Sequence, residues 1–156
     1  MAKLGFTDQL YHVRDEKANG ADGGSFTSGA WRTRVLNTAL TSEITGASLA
    51  ANQVTLPAGT YYIDVKCPAF NVEDHKSMLY NITDTAVELT GTSERSAGGS
   101  VTRSIISGRF TIAVEKVFEV QHICYASKLV TGFGYGSAGL GSANEVYTDV
   151  KIWKVA

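Results

Sequence analysis

The stretch QVTLPAGTYYIDVKCPAF, residues 53–70, decides the fold. Residues 53–56 are a short apolar-alternating run, and Pro57-Ala58-Gly59 is turn chemistry. A longer run then leaves with period two. Tyr61, Ile63, Val65 and Cys67 point one way; Tyr62, Asp64 and Lys66 point the other. This is a strand, a turn and a strand with one face made for a core, and it contains no group poised for chemistry.

The same period runs outward along the chain. Strands are predicted over 31–38, 53–56, 60–69, 77–83, 86–92, 101–113, 116–127 and 145–155. Turn-rich pieces such as TDT, ERSAGGS and GFGYGSAGLGSAN separate them. With 16 glycines, 2 prolines and no helical period after the first residues, the expectation is an all-β, two-sheet antiparallel jelly-roll sandwich. Its 156 residues suit one domain with a real core. Residues 1–25 read as an N-terminal arm and hinge, and 26–156 as the sandwich. The arm holds Leu4, Phe6, Leu10, Tyr11 and Val13 ahead of the polar, glycine-rich RDEKANGADGGSFTSG. Those five apolar side chains are too few to fold alone and must pack on something to offset the entropy of ordering.

Three predicted strands are apolar on both sides. Residues 116–127 place Phe118, Val120, His122 and Cys124 on one side and Val117, Ile123 and Tyr125 on the other. Residues 145–155 place Val146, Val150 and Ile152 against Tyr147 and Trp153, and residues 77–83 place Met78, Tyr80 and Ile82 against Leu79. An antiparallel strand with one wet face is polar on that face. If the three share a sheet, that sheet has a sticky outer surface, the mark of a protein interface.

Composition and motifs exclude more than they assign. A net charge of −1 with scattered Lys and Arg gives no footprint for nucleic acid. No apolar run reaches membrane-spanning length, and MAKLGFTDQLYHVRDEK lacks the apolar segment of a signal peptide, so assembly on the cytoplasmic side is expected. GYGSAG, residues 134–139, matches G-x-G-x-x-G, but LGSAN and a β-pattern follow where a phosphate-binding helix is needed. His12, His75 and His122 have no metal-ligand spacing. His122 reads as a core histidine and His75, in EDHK, as a solvated loop residue. Cys67 and Cys124 lie on separate strands, and free thiols or a bridge are both open. The Asn81-Ile82-Thr83 sequon and the pairs Asp15-Glu16 and Glu73-Asp74 read as ordinary surface. No Gly-x-Ser-x-Gly elbow occurs, so no catalytic residue, metal or cofactor is expected. A hydrolase is the alternative left open, because triads assemble across space.

SGAWRTRVLNT, LPAGTYYIDVKCPAF, LYNITDT, LTGTSE, SIISGRFTI, VFEVQHICYAS and EVYTDVKIWKV follow one another in an order that resembles the jelly-roll domain of tailed-bacteriophage virion proteins. That domain is similar in outline to the trimeric tumour-necrosis-factor-like jelly roll. The resemblance runs from about residue 25 to the end. It implies a homotrimer built around the sheet that carries the last strand, with Leu79, Ile123, Tyr125, Tyr147 and Trp153 at the contact. It also implies a capsid decoration or head-fibre protein, anchored to the virion by Leu4, Phe6, Leu10, Tyr11 and Val13. A tail-fibre or receptor-binding tip is the alternative, with a host glycan as partner and Tyr62 or Tyr135 stacking on sugar. No nucleic-acid or membrane partner is implied.

Overall fold

Pro57 and Ala58 carry the chain from one sheet to the other. In the computed structural model, which describes residues 9–156, strands form at β1 (Gln9–Lys17), β2 (Arg32–Thr33), β3 (Thr38–Ser42), β4 (Ser48–Ala50), β5 (Gln53–Leu56) and β6 (Gly59–Phe70). They continue with β7 (Glu73–Asn81), β8 (Ala86–Ser96), β9 (Val101–Ile112), β10 (Lys116–Cys124) and β11 (Glu145–Lys154). One sheet runs β3-β1-β11-β6-β9; the other runs β4-β5-β10-β7-β8, with β2 paired to β10. All pairings are antiparallel. The expected all-β, two-sheet antiparallel jelly roll is therefore present.

The stretch at residues 53–70 spans both sheets. Its second strand lies inside one, between β11 and β9, and not at an edge. Tyr61, Ile63, Val65 and Cys67 are all at 0% exposure, as the alternation requires. The Tyr61 hydroxyl donates back to the Pro57 carbonyl at 2.7 Å, so the Gly-Thr-Tyr entry closes its own turn.

The N-terminal segment is not an arm from Gln9 onward. Strand β1 sits between β3 and β11, and Tyr11 and Val13 are 2% and 0% exposed in the main core. Their alternation with His12 and Arg14 is the strand signal, and β11 supplies the partner that a short apolar cluster lacks on its own. The domain thus includes residues assigned to the arm over 1–25. Leu4 and Phe6 lie outside the described residues.

Two further expectations invert for reasons of register. Strand β11 carries an extra residue opposite Arg14 and Glu16, a bulge that turns its faces over. Val150 and Ile152 point inward below it, but above it Tyr147 is buried and Val146 is 42% exposed. In β7, residues directly opposite β10 share its inward face. Leu79 pairs with Val120, Ser77 with His122 and His75 with Cys124, so Leu79 (3% exposed) and His75 (4%) are core. His75 is therefore a strand residue, not a solvated loop residue.

The interior divides in two. The main core holds Tyr11, Val13, Tyr61, Ile63, Val65, Phe110, Phe118 and Ile152, among others. A smaller cluster of Phe26, Ala69, Val72 and Cys124, with Phe133 against it, fills one end. Between them lies a layer of buried polar groups.

Candidate interaction face and a buried polar belt

The outer face of the five-stranded sheet is built by cross-strand pairing. Leu10 lies opposite Trp153, Trp153 opposite Tyr62, and Tyr62 opposite Arg109. Tyr62 and Trp153 ring centroids are 6.1 Å apart, and the Tyr62 hydroxyl bonds Ser107 Oγ at 2.7 Å. Beside this strip the charges satisfy one another. His12 Nε2 meets Asp149 Oδ1 at 2.6 Å, Lys151 meets Asp149 at 3.7 Å and Lys66 meets Asp64 at 3.6 Å. The result is an apolar strip bordered on one side by self-paired charges, with the exposed Arg109 at its β9 end, the apolar centre and polar rim of a surface suited to a protein partner.

Of the five residues expected at a subunit contact, only Trp153 lies on this face. Leu79 is in the core. Tyr147 is 6% exposed, and its hydroxyl donates to the Ala21 carbonyl. Ile123, on β10 of the other sheet, and Tyr125, just past the end of that strand, face outward on the far side of the sandwich. Leu10, expected to anchor a virion, instead stands beside Trp153. Tyr62 completes the strip; its outward position on β6 was legible, but its neighbours were not.

The far side carries an open groove of about 640 Å³, lined by Asp74, Lys76, Glu94, Arg95, Ile123 and Tyr125 among others. Tyr125 is 78% exposed there. Arg95 is held by Glu73 at 2.5 Å and Asp74 at 3.1 Å, which fixes the groove's charged wall. Tyr135 packs on Phe70 at the end of the sandwich, 5.0 Å between centroids.

The buried layer centres on Arg34, which is 1% exposed. Its Nε donates to Thr148 Oγ1 at 2.6 Å, Nη1 to the Pro68 carbonyl at 3.0 Å and Nη2 to the Phe133 carbonyl at 2.9 Å. The Phe133 ring covers the guanidinium at 4.1 Å. Burial pulls the Arg34 pKa down to about 10, opposed by the charges of Cys67 and Asp15. Asp15 is itself 1% exposed; burial raises its pKa, while Lys17 and Arg34 oppose the shift.

From Arg34 a line of imidazoles crosses to the other side. Arg34 Nη1 faces His122 Nδ1 at 3.5 Å, His122 Nε2 meets His75 Nδ1 at 2.9 Å, and His75 Nε2 meets Thr102 Oγ1 at 2.7 Å. Next to them, Ser77 and Ser104 hydroxyls bond at 2.7 Å, and Ser104 Oγ donates to the Thr92 carbonyl at 2.7 Å. This closeness requires Gly91 in β8, since a Cβ there would stand 2.5 Å from Ser77 Oγ. Every fully buried side-chain nitrogen and oxygen among the described residues has a hydrogen-bond partner. Burial lowers the His75 pKa to about 4, with Arg34 adding to that shift and Glu94 and Asp74 opposing it. Burial, then Arg34, then His75 hold His122 well below the ordinary histidine value. His122 is at 0% exposure, so it has no surface from which to act on a substrate.

The glycine loop has its own occupants. Glu145 accepts from the N–H groups of Gly20 and Ser137 and from the Ser137 hydroxyl, and Asp22 accepts from the Gly136 N–H at 3.0 Å. Carboxylates thus take the donors that a phosphate would use. Cys67 and Cys124 are free and buried. No group of three or more His, Cys, Asp or Glu side chains forms a metal-binding cluster among the described residues.

The sequence matches no protein-family model and none of the curated proteins. The fold has solved counterparts. A crystal structure of murine APRIL superposes with a TM-score of 0.58 at 10% identity, covering 94% of this chain and 98% of that one. The structure of Eiger TNF from S. frugiperda gives 0.60 at 11% identity, covering 95% and 92%. The chain therefore has the tumour-necrosis-factor-like jelly-roll fold. At these identities the likeness is one of fold.

Proposed function

We propose that this chain is a homotrimeric structural protein of a tailed-bacteriophage virion, a capsid decoration or head-fibre subunit. The observation that carries the trimer is the Leu10–Trp153–Tyr62 strip on the sheet that bears the last strand. The order of sequence motifs from residue 25 onward supports the virion setting. Because Tyr11 and Val13 are committed to the core, the anchor in this reading is confined to residues 1–8, with Leu4 and Phe6 as its apolar side chains.

Light scattering tests the assembly. The full chain gives three times its 16.7 kDa at micromolar concentration, and Trp153→Ala shifts it toward monomer while circular dichroism stays unchanged. Removing a central interface tryptophan costs about 2 kcal/mol or more. A monodisperse wild-type monomer refutes the trimer. Co-sedimentation with phage particles tests the setting: a chain lacking residues 1–8 stays folded and trimeric but no longer binds shells. Undiminished binding refutes the anchor.

One observation favours the second reading, a tail-fibre tip that binds host glycan. The open groove presents the Tyr125 ring beside fixed carboxylates, the pairing of stacking surface and acceptors that sugars use. Glycan binding by the free protein that is lost in Tyr125→Ala identifies this role.

A further inference from the structure

The polar belt separates two cores of unequal size, and the two histidines in it have no carboxylate bonded to them. We propose that the Thr102–His75–His122–Arg34 line is an acid-sensitive latch, which holds the end cap of the sandwich closed while both imidazoles are neutral and releases it when either is protonated.

The latch follows from the direction of the hydrogen bonds. A guanidinium only donates. Arg34 therefore faces a lone pair on His122 Nδ1, which places the His122 proton on Nε2. That proton is donated to His75 Nδ1, so the His75 proton is on Nε2 and is donated to Thr102 Oγ1. Each imidazole gives one bond and takes one. Adding a proton at either Nδ1 turns an acceptor into a donor, sets donor against donor, and places a new cation in line with Arg34.

The cap is what Arg34 holds. Its guanidinium grips the Pro68 and Phe133 carbonyls, and Phe26 packs on both the His122 ring at 4.8 Å and the Phe133 ring at 4.4 Å. Backbone bonds tie the same pieces together: Phe26 N–H to Lys128, Phe70 N–H to Gly132, and Phe133 N–H to Gly24. The cap core is small, while Ile63, Val65 and Ile152 belong to the large core beyond the belt. Opening one end therefore leaves most of the buried apolar surface in place.

The surrounding charges set the sign. Burial disfavours the charged form of His75 most; Glu94, its partner across on β8, and Asp74, its neighbour in the chain, favour that form through space, and Arg34 disfavours it. Arg34 and His75 oppose a charge on His122. Asp15 acts on Arg34 through space, and the buried Cys67 and Cys124 thiols stay neutral throughout the acid range. A histidine held below its ordinary value stabilises the closed form above about pH 6.5. That stabilisation is lost as pH falls through about 4.

Hydrogen exchange on the full chain tests the latch at pH 7 and pH 4, corrected for intrinsic rates. The amides of Phe26, Phe70 and Phe133 lose at least about tenfold in protection, the effect of one unit of free-energy shift on the pH scale. Those of Ile63, Val65 and Ile152 keep theirs. The double change His75→Gln and His122→Gln, whose amides bond without titrating, removes the pH step at the cap. Uniform loss across both cores, or cap protection unchanged at pH 4, overturns the proposal. Nitrogen-15 spectra of the wild-type imidazoles at pH 7 provide a second check that needs no variant. Both histidines are neutral with the proton on Nε2, and either one protonated or carrying its proton on Nδ1 overturns the latch.

Discussion

Tyr11→Ala distinguishes a strand from an arm. Tyr11 is 2% exposed in the main core, and its backbone lies between Ile152 of β11 and Ser42 of β3. Truncating a buried aromatic to alanine costs about 3–5 kcal/mol, from lost transfer energy and the cavity left behind. Domains are stable by only about 5–15 kcal/mol, so this is a large share of the total. With a urea slope of about 2 kcal/mol/M, a loss of about 4 kcal/mol lowers the unfolding midpoint by about 2 M. The assay is urea denaturation at one fixed protein concentration, because association adds to apparent stability. His12→Ala is the control from the same strand. It faces outward, and losing its contact with Asp149 costs about 1 kcal/mol or less. If Tyr11→Ala unfolds within about 1 kcal/mol of wild type, β1 is not integral to the sandwich and the reasoning fails.

Gly134→Ala places a Cβ 2.2 Å from Tyr147 Cδ1, at a φ of +148°. Overpacking of this kind costs about 1–3 kcal/mol, read as a fall in melting temperature, and Tyr147→Ala in the same chain relieves the clash. Gly91→Ala places a Cβ 2.5 Å from Ser77 Oγ and 2.9 Å from the Ser77 carbonyl oxygen and lowers the melting temperature in the same way; because the carbonyl remains, Ser77→Ala restores only part of the loss. Burial raises both thiol pKa values to about 11, so iodoacetamide at pH 8 leaves Cys67 and Cys124 unmodified in the native protein and labels both in denaturant. Groups with raised values stabilise the fold below their unfolded pKa and lose that contribution as pH rises through the folded one. Stability therefore declines between about pH 9 and 12, through the thiols and through Tyr147, whose pKa is raised to about 12. A flat alkaline profile contradicts the burial of these groups.

Periodicity along single strands was enough to read the all-β class, the turn at Pro57–Gly59, the inward face of β6 and the core position of His122. These depend on alternation, which one strand carries by itself. Strand β1 was half legible: Tyr11 and Val13 alternate with His12 and Arg14, but nothing local says that β11 will pair with them. Everything that depended on partners was decided by the tertiary structure. The bulge in β11 turned Tyr147 inward, register with β10 placed Leu79 and His75 in the core, and assignment to different sheets separated Ile123 from Trp153. The belt was the least legible, because Arg34, His75, Thr102, His122 and Thr148 come from five separate segments and no short-range spacing links them. A side chain's face is set by its own strand, but what it meets across the sandwich is set by register and by which sheet each strand joins. Long-range pairing alone fixes those two quantities.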